Sequence, residues 1–109
     1  MMDTGTIAEI IATYKKHGWV LRRVLLSAAA SASLDSQVVA GVPVMPSDID
    51  AAWFSRPPAE GGVAWEIRYL GPTPFALVEN MNENEPDFEE RLRSVEARLA
   101  AAVASKKSA

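Results

Sequence analysis

The chain has no cysteine and a single histidine among its 109 residues. It can therefore form no disulfide and no thiolate metal site, and it holds no cysteine nucleophile. With His17 alone, the usual zinc ligand sets and a Ser-His-acid triad would need residues that the chain does not have. We interpret His17, which directly precedes Gly18, as a partner of helix carbonyl groups. The sequence thus predicts no catalytic residue, no metal and no cofactor, and it favours a non-enzymatic protein.

Long apolar runs and an excess of positive charge are also lacking. The longest charge-free segments, Val24–Leu34 and Ser36–Ser47, are about half of the ~20 apolar residues that a spanning helix needs. The net charge of −3 and the pI near 5.1 argue against nucleic acid as a partner, because phosphate binding favours a basic surface. The N-terminal residues do not resemble a secretory signal. We therefore expect a cytoplasmic protein that binds neither membranes nor nucleic acid.

The composition is that of one folded domain. Hydrophobic residues make up 49% of the chain and charged residues 23%, values typical of globular proteins. A length of 109 residues suits a single core, and we find neither an internal repeat nor a dividing linker. We predict one domain over residues 1–109, with an irregular connection at 27–50.

The N-terminal segment carries the apolar period of a helix. Thr6 and Glu9 have the spacing of a capping box, and Ile7, Ile10, Ile11 and Tyr14 form one stripe after them. Two lysines near the end of the stripe suit a helix C-terminus. We expect this helix to end at Lys16 or His17.

A second helix is predicted after Pro86, with a frayed tail at 105–109. Its apolar residues repeat at spacings of four and three, and they are Phe88, Leu92, Val95, Leu99 and Ala102. Such a stripe either packs on the protein's own sheet or forms a short coiled-coil seam with a second chain. Both interpretations are open from the sequence.

Four segments have the composition of β-strands. They are 19–26, 51–56, 63–70 and 75–80. Pro/Gly-rich segments at 57–62 and 71–74 predict the two turns of an antiparallel meander. The segment 38–45 is at best an edge strand, and a helical turn is the alternative for 47–54. The predicted fold is α+β in the order α-β-β-β-β-α, with an antiparallel sheet of 3–4 strands and both terminal helices on one face.

Turn geometry then assigns side chains to the two faces of the predicted sheet. A turn at Pro72–Thr73 places Glu66 opposite Glu79, and a first loop closed by Arg56 and Val63 places Trp53 opposite Glu66. One face receives Phe54, Trp65, Ile67, Tyr69, Ala76 and Val78, which suits the helices. Arg22 and Arg23 are adjacent in a strand, so they are expected on opposite faces.

The other predicted face mixes apolar and charged residues, and it is the candidate binding surface. Its candidate site residues are Trp53, Glu66, Arg68, Phe75, Leu77 and Glu79. One interpretation is an interface with a second copy of the chain or with another protein, anchored by Trp53, Phe75 and Leu77. Alternatively, the segment 27–45 covers this face, or the chain is a small-molecule-binding protein or weak enzyme with a pocket lined by Trp53, Glu66, Arg68 and Glu79. The favoured hypothesis is a homodimeric or partner-binding interaction module.

Overall fold

The computed structural model describes residues 4–34, 36–39, 41–57, 63–71 and 75–108. The predicted turns therefore lie largely outside the described residues, as do residues 1–3 and 109. The elements in chain order are α1 (Thr4–Lys16), β1 (Val20–Leu26), α2 (Ala28–Ser33), a 3₁₀ turn (Ser36–Val39), β2 (Val44–Pro46), β3 (Ala51–Arg56), β4 (Val63–Tyr69), β5 (Ala76–Met81) and α3 (Phe88–Ser108).

The strands form one five-stranded sheet in the order β2-β1-β3-β4-β5. The α+β class, the single domain and the two terminal helices are as predicted. The sheet, however, is mixed, because β2 runs parallel to β1 while the other pairs are antiparallel. The segment 27–50, expected to be irregular, supplies α2, the 3₁₀ turn and the edge strand β2.

The first helix ends at Lys16, as predicted, but it begins at Thr4. Thr6 thus lies inside the first turn and is not the cap that its spacing with Glu9 indicated. At the other end Gly18 has a φ of +88°, the left-handed conformation that favours glycine. The Nδ1 atom of His17 lies 2.8 Å from the carbonyl oxygen of Thr13 and donates to it, which agrees with a role at the helix terminus.

One face of the sheet, here named the α3 face, packs against the C-terminal helix. The helix continues to Ser108, so the predicted tail is helical up to that residue. The buried residues of this cluster include Trp53, Trp65, Ile67 and Tyr69 from the sheet and Phe88, Leu92, Val95, Leu99 and Val103 from α3. Although α3 has 21 residues, no helix in the described ranges is long and apolar enough to cross a membrane.

The opposite face, named the α1 face, packs against the N-terminal helix and the segment after β1. Its buried residues fall into two neighbouring clusters: Ile7, Ala52, Phe54 and Leu70, and Val24, Leu26, Ala30 and Val39. The prediction that both helices lie on one face is therefore wrong. The reason is visible in β3, where the adjacent Trp53 and Phe54 point to opposite faces and are each 0% exposed, so both faces need cover.

Candidate functional site

The register of both hairpins differs by one residue from the predicted register. Glu66 pairs with Val78, and Glu79 pairs with Trp65. In the first hairpin Glu66 pairs with Phe54, whereas Trp53 pairs with Ile67. Because side chains alternate along a strand, this shift moves every residue of β3 and β5 to the other face relative to β4. The predicted opposition of Glu66 and Glu79 is wrong.

The six candidate site residues are consequently divided between the two faces. Four of them lie on the α3 face: Trp53, Phe75, Leu77 and Glu79. Glu66 and Arg68 lie on the α1 face, so the six do not form one pocket. Whether any of them contacts a partner stays a prediction.

The candidate residues on the α3 face have partners within the chain. Trp53 is fully buried, and its Nε1 donates to Glu96 at 2.8 Å. Glu79 accepts from Arg98 at 3.0 Å. The expected interface around Trp53 is thus covered by α3, and the predicted α3 stripe packs on its own sheet.

The α1 face leaves part of β4 and β5 uncovered, because α1 lies against β1, β3 and the 3₁₀ turn. We name this uncovered area the open patch. It consists of Ala64, Glu66, Arg68, Ala76, Val78 and Asn80. Val78, in the middle of β5, is 56% exposed. Because β5 is an outermost strand of the sheet, its unpaired edge makes this patch a candidate contact surface.

Tyr14 forms the boundary between α1 and the open patch. Its ring stacks on Phe54 with a centroid distance of 4.0 Å and an interplanar angle of 15°. Its hydroxyl donates to the carboxylate of Glu66. The sequence placed Tyr14 correctly on the apolar stripe of α1, but the register error hid its contact with Glu66.

Three effects raise the pKa of Tyr14 well above its ordinary range. Burial is the largest, followed by the hydrogen bond to Glu66 and the negative charge of that carboxylate, whereas Arg68 opposes the shift. The phenol is therefore neutral at physiological pH and acts as a donor to Glu66. This contact ties α1 to β4 and fixes the carboxylate at the edge of the open patch.

Two clefts flank Tyr14 along α1. The larger, about 530 Å³, is lined by Thr6, Glu9, Ile10, Thr13, Tyr14, Arg68 and Gly71. The smaller, about 170 Å³, is lined by Thr13, Tyr14, His17, Trp19 and Glu66. Arg68 and Glu66 thus each border a cleft, with a phenol between them. Such groups suit hydrogen bonding to a polar ligand.

The described residues hold no cluster of three or more acidic or histidine side chains that could bind a metal ion. Comparisons with protein-family models, curated proteins and solved structures found no match to this chain. The functional interpretation therefore rests on the geometry of the open patch and of the clefts along α1.

Proposed function

We propose that this protein is a non-enzymatic interaction module that forms a homodimer through the free edge of β5. The observation that carries the proposal is the unprotected edge of β5, an outermost strand of six residues without proline or lysine, in which Val78 is 56% exposed. The cytoplasm, which a chain without cysteine allows, is the proposed location. The interface differs from the one first expected, since α3 covers the face that bears Trp53.

The two edges of the sheet differ in how they are protected. β2 has three residues, ends in Pro46 and follows Pro43 closely. Short length and proline are the usual means by which an edge strand avoids pairing with another chain. β5 has six residues and contains neither proline nor lysine. The β5 edge is thus the better template for strand addition.

The hydrogen-bond pattern shows which groups of β5 point outward. The backbone N–H of Tyr69 donates to the carbonyl of Phe75 at 2.8 Å, so the odd-numbered residues of β5 bond to β4. The N–H and C=O groups of Ala76, Val78 and Asn80 then point away from the sheet. The carbonyl of Asn80 accepts from Arg91 at 3.1 Å. The backbone groups of Ala76 and Val78 are therefore more accessible to a second chain than those of Asn80.

A second copy can pair with β5 in an antiparallel register centred on Val78. In that register Val78 lies beside Val78 of the second copy, and Glu79 lies opposite Leu77. A shift that placed Glu79 opposite its own copy would bring two like charges together, which destabilises a sheet. The register centred on Val78 buries the exposed valine and keeps the carboxylates apart.

The test is the oligomeric state of the wild type and two lysine variants across a concentration series. We expect a mass near twice 11.8 kDa for the wild type in analytical ultracentrifugation. Val78→Lys should raise the dimer dissociation constant by about tenfold or more, which corresponds to about 1.4 kcal/mol. Val20→Lys is the matched control, because Val20 is 55% exposed and lies on β1, three strands from β5.

Val78→Pro sharpens the same experiment. The N–H of Val78 points outward, so proline removes a donor needed by the second copy but none used by β4. We expect a folded monomer, with circular dichroism of the wild type. A wild type that stays monomeric throughout the series contradicts the proposal, as does a dimer that Val20→Lys weakens as much as Val78→Lys does.

The clefts along α1 favour a second candidate function, the binding of a small polar molecule between Tyr14 and Arg68. The larger cleft, about 530 Å³, falls in the size range of ligand sites. Thermal-shift screening of the wild type against Arg68→Gln tests it. A compound that raises the melting temperature of the wild type but not of Arg68→Gln supports this function, and equal shifts contradict it.

A further inference from the structure

A β-bulge in β1 brings two arginines to the same face of the sheet. Leu21 pairs with Phe54 and Arg23 pairs with Trp53, so Arg22 is an extra residue in the ladder. Such a bulge redirects side chains, and here it cancels the alternation that predicted opposite faces for the two arginines. Both side chains lie on the α3 face, beside the N-terminus of α3.

The contacts of the two arginines confirm this placement. Arg22 donates to Ser55 Oγ at 3.0 Å, and its guanidinium lies 4.9 Å from the ring centroid of Trp65. Arg23 makes two parallel hydrogen bonds of 3.0 Å to Glu89. Neighbouring residues of one strand thus reach both a buried indole of the sheet and the first turn of α3.

The arginines line a small cavity whose walls are rich in hydrogen-bond donors. The cavity has a volume of about 180 Å³ and is lined by Arg22, Arg23, Trp65, Glu83, Phe88 and Glu89. Trp65 is 2% exposed, and its Nε1 has no hydrogen-bond partner within the described part of the chain. An indole N–H and a guanidinium can only donate. The two arginines and this indole therefore need acceptors, which Glu83 and Glu89 supply to the arginines.

The two carboxylates at the cavity are the exchangeable part of its wall. Glu83 accepts from Arg22 at 2.9 Å and Glu89 from Arg23 at 3.0 Å, although their side chains are 51% and 53% exposed. Ion pairs with such exposed carboxylates usually contribute little to stability, and the single bond of Arg22 to Glu83 is weaker than the two bonds of Arg23 to Glu89. Both glutamates can therefore turn into solvent and leave the arginines to another anion.

We propose that the Arg22–Arg23 cavity binds a small oxyanion of the phosphate class, which replaces Glu83 and Glu89 as the acceptor. A phosphate group has enough oxygen atoms to accept from both guanidinium groups together, beside the ring of Trp65. The positive end of the dipole of α3, which begins at Phe88, adds to the attraction for an anion.

The probe is inorganic phosphate, titrated at constant ionic strength into the ¹⁵N-labelled full chain. The indole Nε1–H signal of Trp65, assigned by its loss in Trp65→Phe, should shift and reach saturation, because this side chain lines the cavity. Glu83→Gln combined with Glu89→Gln should raise the phosphate affinity by about tenfold or more, because the competing carboxylates are gone. Arg22→Gln combined with Arg23→Gln should abolish the saturable shift.

Glu90→Gln is the matched control, since Glu90 lies in the same first turn of α3 as Glu89 but does not line the cavity. It should leave the phosphate affinity unchanged. The proposal is overturned if the Trp65 signal moves no more with phosphate than with chloride. It is also overturned if succinate saturates the signal while phosphate does not, or if the double glutamine variant binds phosphate no better than the wild type.

Discussion

The two faces of the sheet differ in how completely helices bury them. The more buried face contributes more to stability, and the other face has more exposed side chains. On the α3 face a helix of 21 residues seals the aromatic core, and polar side chains at its rim bond across to the helix. On the α1 face the shorter helix, 13 residues long, covers the β1 and β3 side and leaves the open patch. A closed face stabilises the fold, whereas a half-covered face leaves side chains exposed.

The difference in burial predicts that truncating one apolar side chain lowers the free energy of unfolding by different amounts on α3 and on α1. Leu92 of α3 is 0% exposed, and Leu92→Ala should lower the free energy of unfolding by about 2–5 kcal/mol through lost burial and a cavity. Ile10 of α1 borders the open cleft and is only half-buried. Ile10→Ala should therefore cost less.

Urea unfolding of the two variants measures this difference, with unchanged m-values as the check that the folded and unfolded states are comparable. If Leu92→Ala and Ile10→Ala lower the free energy of unfolding equally, the two faces do not differ in burial at these positions.

The same contrast explains how far the sequence could predict the fold. In β4 the alternation is unambiguous, because Trp65, Ile67 and Tyr69 are apolar while Glu66 and Arg68 are charged. Their faces were assigned correctly relative to one another, and the two terminal helices and the α+β class were predicted as well. A strand with one polar face reports its own orientation.

The neighbouring strands give no such signal. In β3 the adjacent Trp53 and Phe54 are both apolar, and in β5 so are Leu77 and Val78. Their register depended on the two turns alone, and a shift of one residue exchanges the faces. The predicted opposition of Glu66 and Glu79 was wrong for this reason, since it needed both residues on one face.

The bulge at Arg22 was also beyond prediction from sequence. Adjacent arginines in a strand alternate unless an extra residue interrupts the ladder, and no glycine marks this bulge. Ser55 and Trp65 give Arg22 its contacts on the α3 face. These are long-range interactions that local sequence patterns do not contain.

The hydrogen bond from Tyr14 of α1 to Glu66 of β4 gives a second prediction. Tyr14→Phe removes the hydroxyl that donates to Glu66 and keeps the ring that stacks on Phe54. The free energy of unfolding should fall by about 1.5–3 kcal/mol at neutral pH, the usual contribution of a hydrogen bond to a charged group.

The pH dependence of the same variant tests the assignment to Tyr14. Its pKa is raised in the folded protein, so its stabilising effect is fully present below the ordinary phenol value of about 10 and is lost as the pH rises further. The stability difference between wild type and Tyr14→Phe should therefore shrink above about pH 10. A difference that stays constant in alkali would contradict the burial and bonding of this phenol.

The smallest expected effect belongs to the rim of the α3 face, where Arg23 holds Glu89. The hydrogen bond from Arg23 lowers the pKa of Glu89, against a smaller opposing effect of burial. Because the pair is exposed, Glu89→Gln should cost only about 0.2–1 kcal/mol at neutral pH. The matched control is Glu90→Gln, in the same first turn of α3, which changes the charge near the helix dipole equally.

Acid should erase the difference between these two variants. A lowered pKa in the folded state stabilises the protein above the unfolded carboxyl value of about 4.3, and this contribution disappears as the pH falls through the lowered value. Urea unfolding from neutral pH to below about pH 4 should show Glu89→Gln losing its disadvantage relative to Glu90→Gln. If the two variants are equally stable at every pH, the pairing of Arg23 with Glu89 does not contribute to holding α3 on the sheet.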